Sequence, residues 1–194
     1  MELNGQQTIK ASRDAVYEAL NNVDVLKQCV PGCESLEKTS DTEMSAVVAL
    51  KIGPVKAKFN GAVTLTNLNA PESYTIVGEG SGGAAGFAKG SADVTLSEQG
   101  DETLLDYQVK ADVGGKLAQL GNRLIDSTAK KLSNEFFVKF GEIVEAGPEA
   151  WTEDEAEEAK EAAPAPAAAE GGIPRWVWIA AATAAALIAV YALS

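Results

Sequence analysis

The sequence predicts an α+β protein: an antiparallel sheet of about six or seven strands wrapped on a long C-terminal helix, then a linker and a transmembrane helix. Three observations predict it. From Cys33 to Val113, apolar and polar residues alternate in runs separated by turn residues, the period of strands with one covered face. From Gly115 to Val144, apolar residues recur at steps of three, four or seven, which is one stripe on a helix roughly 45 Å long at about 1.5 Å per residue. From Trp176 to Leu193, 18 residues carry no charge. The stripe and the sheet's dry face each need a cover, and each is the other's cover.

In order, Leu3, Gly5, Gln7 and Ile9 alternate with polar positions as a first strand. Ser12 suits an N-cap and Asp14 a first turn, and Ala15, Val16, Ala19 and Leu20 make a short helical stripe. A second short helix holds Val25, Leu26 and Cys29 before Pro31-Gly32 turns the chain. Met44, Ala46, Val48, Leu50 and Ile52 alternate, Gly53-Pro54 breaks the run, and Val55, Ala57, Phe59, Gly61, Val63 and Leu65 alternate again, so these two segments form a hairpin. Asn69-Ala70-Pro71 is a turn. Tyr74, Ile76 and Gly78 form a strand, a glycine-rich crossing follows, and Val94 and Leu96 mark the next strand up to the Gly100-Asp101 turn. The last strand places Thr103, Leu105, Tyr107, Val109, Ala111 and Val113 on one face. Gly114-Gly115 releases it into the long helix, whose stripe is Leu117, Leu120, Leu124, Ile125, Leu132, Phe136, Phe140 and Ile143. Gly147-Pro148 stops that helix.

Three units follow: a folded domain over 1–144, a flexible linker over 145–172 and a membrane anchor over 173–194. The linker holds nine acids, Lys160 and the run Pro164-Ala165-Pro166, with Trp151 pinning its start to the domain. In the anchor, the uncharged run spans about 27 Å as a helix, close to the bilayer core of about 30 Å, with Trp176, Trp178 and Tyr191 at its ends. Arg175 lies on its near side and no secretory signal opens the chain. The expected location is therefore the cytoplasmic membrane, single-pass, with the domain facing the cytoplasm.

Composition and motifs exclude several chemistries. The net charge of -12 and the lack of a Lys/Arg stripe exclude a nucleic-acid groove. Gly78-Glu79-Gly80-Ser81-Gly82-Gly83 matches GxGxxG but leads to another strand, so no helix N-terminus receives a pyrophosphate; such glycines bend strands, leave room for a ligand or make a mobile rim. Cys29 and Cys33 lie across a turn in a chain without histidine. Two thiols do not complete a zinc site within one chain, which leaves a redox pair, an intermolecular metal site or small packing residues near a cavity mouth. No histidine is present to activate a nucleophile, and Glu34, Glu37, Glu43 and Asp106 occupy solvated positions, so no catalytic residue is expected. Lys56 and Lys58 are ordinary outward residues or a docking patch.

This order of elements resembles the helix-grip fold of the START-like (SRPBCC) superfamily. Within it, Cys29-Val30-Pro31-Gly32-Cys33-Glu34, Gly53-Pro54-Val55-Lys56-Ala57-Lys58-Phe59 and Gly114-Gly115-Lys116-Leu117-Ala118-Gln119-Leu120-Gly121 resemble the family of the carbon monoxide dehydrogenase G subunit over residues 1–144 and, in layout, the tail. The superfamily resemblance implies a hydrophobic tunnel between sheet and helix where residues alone allow a filled core. Suitable lining is Phe59, Tyr74, Phe87, Leu105, Tyr107, Leu117, Leu120, Leu124 and Phe136. The family resemblance implies a non-catalytic subunit without cofactor or metal that recruits carbon monoxide dehydrogenase, a molybdenum enzyme, to the membrane. A lipophilic cavity beside the bilayer suggests a respiratory quinone, ubiquinone or menaquinone, as ligand. Two alternatives use the same tunnel: a lipid-transfer protein and a cyclase- or hydrolase-type enzyme acting on a hydrophobic substrate.

Overall fold

The computed structural model describes residues 1–151. Strand β1 (Glu2–Ile9) leads into two short helices, α1 (Arg13–Leu20) and α2 (Val23–Cys29). The Ser12 hydroxyl accepts from the Ala15 N–H, and the Asn22 side chain accepts from the N–H groups of Asp24 and Val25. These caps satisfy donors that a first helical turn leaves open. Six strands follow: β2 (Cys33–Lys38), β3 (Glu43–Ile52), β4 (Val55–Asn69), β5 (Ser73–Ser81), β6 (Phe87–Gln99) and β7 (Glu102–Gly114). With β1 they make one seven-stranded antiparallel sheet in the order β1-β7-β6-β5-β4-β3-β2, and α3 (Asn122–Ala146) closes it. This is the expected helix-grip arrangement.

The long helix is shorter at its start than its apolar stripe suggests. Gly115 and Gly121 hold φ at +74° and +82°, conformations that a right-handed helix does not contain, so the stretch between them forms a separate single turn at Ala118–Leu120. Leu117 and Leu120 therefore sit on the connection from β7, not on the helix. The helix ends two residues beyond Val144, where Gly147 at φ +93° turns the chain and its N–H bonds the Val144 carbonyl. A last turn, Pro148–Trp151, then lays Trp151 against the core at 5% exposure.

The glycine-rich crossing is also narrower than expected. Gly78 and Gly80 pair within β5 and Gly90 within β6, which leaves only Gly82–Gly86 between the strands. Ladder hydrogen bonds from both neighbours outweigh the weak strand preference of glycine here. Since a three-residue turn and another strand follow Gly82, no helix N-terminus faces this loop.

The core lies at one end of the sheet. Phe140, Ile143 and Val144 of α3 pack with Val16, Ala19 and Leu20 of α1, with Val25 and Cys29 of α2, and with Ile9, Leu96 and Leu105 beneath. No residue in the first half of α3 is fully buried. The expected linker lies mostly, and the expected membrane anchor wholly, outside the described residues. Among the described residues, no helix is long and apolar enough to cross a membrane.

Candidate functional site: an apolar pocket under the first half of the long helix

The sheet register explains why one end is packed and the other hollow. Across the inner face, paired positions read Leu96–Leu105 and then Tyr74–Val94–Tyr107 at the packed end. Next come Leu65–Ile76–Ala92–Val109 and Met44–Val63–Gly78–Gly90–Ala111. The row after that is Ala46–Gly61–Gly80–Ala88–Val113. Side-chain bulk falls row by row while the helix continues overhead. Interiors normally close-pack, so rows of glycine and alanine under a helix leave space.

That space is a pocket of about 330 Å³. Its floor is Gly61, Gly80 and Ala88, and its walls are Val48, Leu50, Ile52 and Phe59. Leu132 of α3, Leu117 of the β7–α3 connection and Val30-Pro31 of the α2–β2 turn complete it. The turn is held by Gly32 at φ +74°, whose carbonyl accepts from the Ala49 N–H at 2.8 Å; a side chain there would collide with the Ala49 carbonyl. None of the lining residues has a polar side chain. The volume is at the lower end of the roughly 300–1,000 Å³ that ligand pockets occupy. Such a site binds by removing apolar surface from water, about 2.5 kcal/mol per 100 Å² of ligand covered.

A larger hollow, about 670 Å³, lies on the sheet's outer face, where Glu79, Lys89 and Asp112 alternate in sign along one row. Its charges neutralise one another in solvent, whereas the apolar pocket leaves hydrocarbon unpaired, so the apolar pocket is the stronger ligand site.

Of the nine residues anticipated as lining, the structure brings Phe59 and Leu117 into the pocket. Tyr74 and Leu105 are in the packed core at 3% and 1% exposure, with Tyr74 edge-on to Tyr17 at 5.8 Å between ring centroids. Tyr107 stacks on Phe137 at 5.1 Å, and Phe136 stacks on Phe140 at 5.7 Å, which extends the core along α3. Leu120 is half-buried on the connecting turn, and Leu124 is half-buried with its side chain against the hairpin tip at Gly53. Phe87 points outward, 48% exposed, because Ala88 takes the inner position. Leu132 and the β3 residues are legible in the sequence as apolar positions. The pocket itself needs the register, which alone stacks the small residues.

Burial pushes the Cys29 thiol up to about 12, against an opposing pull from Lys139, which leaves it a poor nucleophile at neutral pH. Burial, reinforced by Tyr17, likewise pushes the Tyr74 hydroxyl up and keeps it neutral. Glu34 is paired with Lys58 at 2.7 Å, and Asp106 accepts from Gln6 at 2.5 Å. Among the described residues, no group of three or more His, Cys, Asp or Glu could hold a metal ion.

Residues 5–144 match the family of the carbon monoxide dehydrogenase G subunit, CoxG. The chain belongs to this family. CoxG is an accessory subunit named for its association with carbon monoxide dehydrogenase. A conserved protein from Geobacillus kaustophilus is 30% identical, with a TM-score of 0.71, over 75% of this chain and 96% of that one. The fold described here thus accounts for nearly all of that crystallised chain. A Thermus thermophilus protein is 14% identical at TM-score 0.59, covering 76% and 99% of the two chains. The Zhui aromatase/cyclase from a Streptomyces species is 10% identical at TM-score 0.54, covering 75% and 93%, and shares the fold alone. No curated protein matches the chain.

Proposed function

We propose that this chain recruits carbon monoxide dehydrogenase to the cytoplasmic membrane and holds a lipophilic quinone, ubiquinone or menaquinone, so that electrons leave the enzyme for the respiratory chain. The ligand reading rests on the pocket lining, which offers hydrocarbon on every side and no ionisable group. Family membership supports the partner. The uncharged run from Trp176 to Leu193 supports the anchor. In this reading the domain supplies a place and an apolar environment, and the redox chemistry belongs to enzyme and quinone. The cyclase-type alternative needs an acid or base within reach of the substrate, and the pocket wall provides neither.

Fractionation of cells that make the dehydrogenase tests recruitment. With the full chain present, most dehydrogenase activity is expected in the membrane pellet; without it, the activity is expected in the soluble fraction. An unchanged distribution would favour lipid transfer without a dedicated enzyme partner.

A further inference from the structure

The end of the domain that holds the pocket differs in charge from the rest. Beside the α2–β2 turn, which lines the pocket through Val30 and Pro31 and whose Glu34 pairs with Lys58, three segments build that end: the β3–β4 hairpin (50–58), the β5–β6 connection with the start of β6 (81–88), and the β7–α3 connection with the first turn of α3 (113–125). Each contributes lining, through Leu50 and Ile52, Ala88, and Leu117 respectively. Together they hold Lys51, Lys56, Lys58, Lys116 and Arg123, and neither Asp nor Glu, with Asp112 and Asp126 bordering the third segment. The remaining described residues hold 21 acids and nine bases. At the far end of the strands, the turns 39–43, 68–72 and 98–102 carry Asp41, Glu43, Glu72, Glu98, Asp101 and Glu102, six acids against two cations, Lys38 paired with Asp41 and Arg13 paired with Glu72 and Glu98. The domain is thus a charge dipole along its strands, with the positive pole around the apolar pocket.

Two further facts show that these cations are not there for the fold. Lys51 and Lys56 face each other directly across the hairpin, and like charges directly opposite destabilise a strand pair. Apart from Lys58, which pairs with Glu34, the five have no ion-pair partner among the described residues. Beside them Phe87 stands half exposed. Cations flanking an exposed aromatic and an apolar pocket match a surface with anions outside and hydrocarbon within.

We propose that this rim docks the domain on an anionic lipid surface, with the pocket end toward the bilayer. The net negative charge of the domain does not oppose this. Strand β4 alone runs 15 residues from rim to acidic end, roughly 50 Å at about 3.3 Å per residue and several times the Debye length of about 8 Å. The bilayer therefore feels the near pole, and the far acids set the orientation. The proposal deepens the reading of the pocket given above. Because docking is measured with no ligand present, its failure and the failure of ligand binding are separate results.

Residues 1–151 are mixed with vesicles of phosphatidylcholine alone or with phosphatidylglycerol added, and the bound fraction is measured by sedimentation at low and physiological salt. Binding is expected only to the anionic vesicles, weakening with salt. Each lysine at such a surface contributes about fivefold, so Lys51→Gln/Lys56→Gln is expected to lower the partition roughly 25-fold. The control Lys10→Gln/Lys38→Gln removes the same charge away from the rim and is expected to change it less than about twofold. Equal losses in both variants, binding independent of lipid charge, or no binding to anionic vesicles would each overturn the proposal; the last would make the rim a protein-docking surface.

Discussion

Gly80→Leu is expected to abolish ligand binding while raising the melting temperature. A Cβ at Gly80 meets only the Asn60 carbonyl oxygen at 3.9 Å and the Gly61 Cα at 4.0 Å, ordinary contacts, and the residues beyond it on the inner face are small. The new side chain therefore enters the space that a ligand uses. Burying a leucine contributes about 1.5–3 kcal/mol, and replacing glycine within a strand adds roughly 0.5–1 kcal/mol. A filled core would respond in the opposite direction, since overpacking costs about 1–3 kcal/mol. For a domain of this size, 1 kcal/mol moves the melting temperature by about 2–4 °C, so the two cases differ in sign and are easily resolved. A fall of several degrees would show that the space beneath α3 is not available to a side chain, and hence not to a ligand.

Ending the chain at Gly172 is expected to convert a protein that resists high-salt extraction into one that high salt releases completely. The removed segment holds the uncharged run with Trp176 and Trp178 at one end and Tyr191 at the other. Inserting some 18 apolar residues is effectively irreversible, whereas the rim cations hold the domain by a screened attraction. The truncated protein should still fold, because the core with Phe140, Ile143, Val144 and Trp151 is complete within the described residues. A truncated form that survives high salt on the membrane as well as the full chain does would rule out the anchor.

The fold is legible in the sequence because its signals are local. Alternation along β3, β4 and β7, the cap at Ser12, and the stop at Gly147 each lie within a few residues of one another. The start of α3 escapes such a reading because Leu117 and Leu120 keep helical spacing across Gly121, and spacing alone does not register a positive φ. The site is less legible for a different reason. Large side chains suggest a lining, yet most large inner-face residues, Tyr74 and Leu105 among them, fill the core. A pocket is made by what is small, and Gly61, Gly80 and Ala88 are 19 and 8 residues apart in the chain. Only pairing across β4, β5 and β6 places them side by side. The basic rim is hidden in the same way. Lys56 and Lys58 are visible as outward residues, but their grouping with Lys116 and Arg123 depends on which loops share an end of the sheet.

Whether the pocket holds a lipophilic quinone is read most directly by mass spectrometry of an organic extract from the full chain purified from native membranes, with Gly80→Leu purified in parallel. Ubiquinone or menaquinone approaching one molecule per chain is expected in the first extract, and little in the second. Quinone absent from both, or carried equally by both, would contradict a quinone site beneath α3.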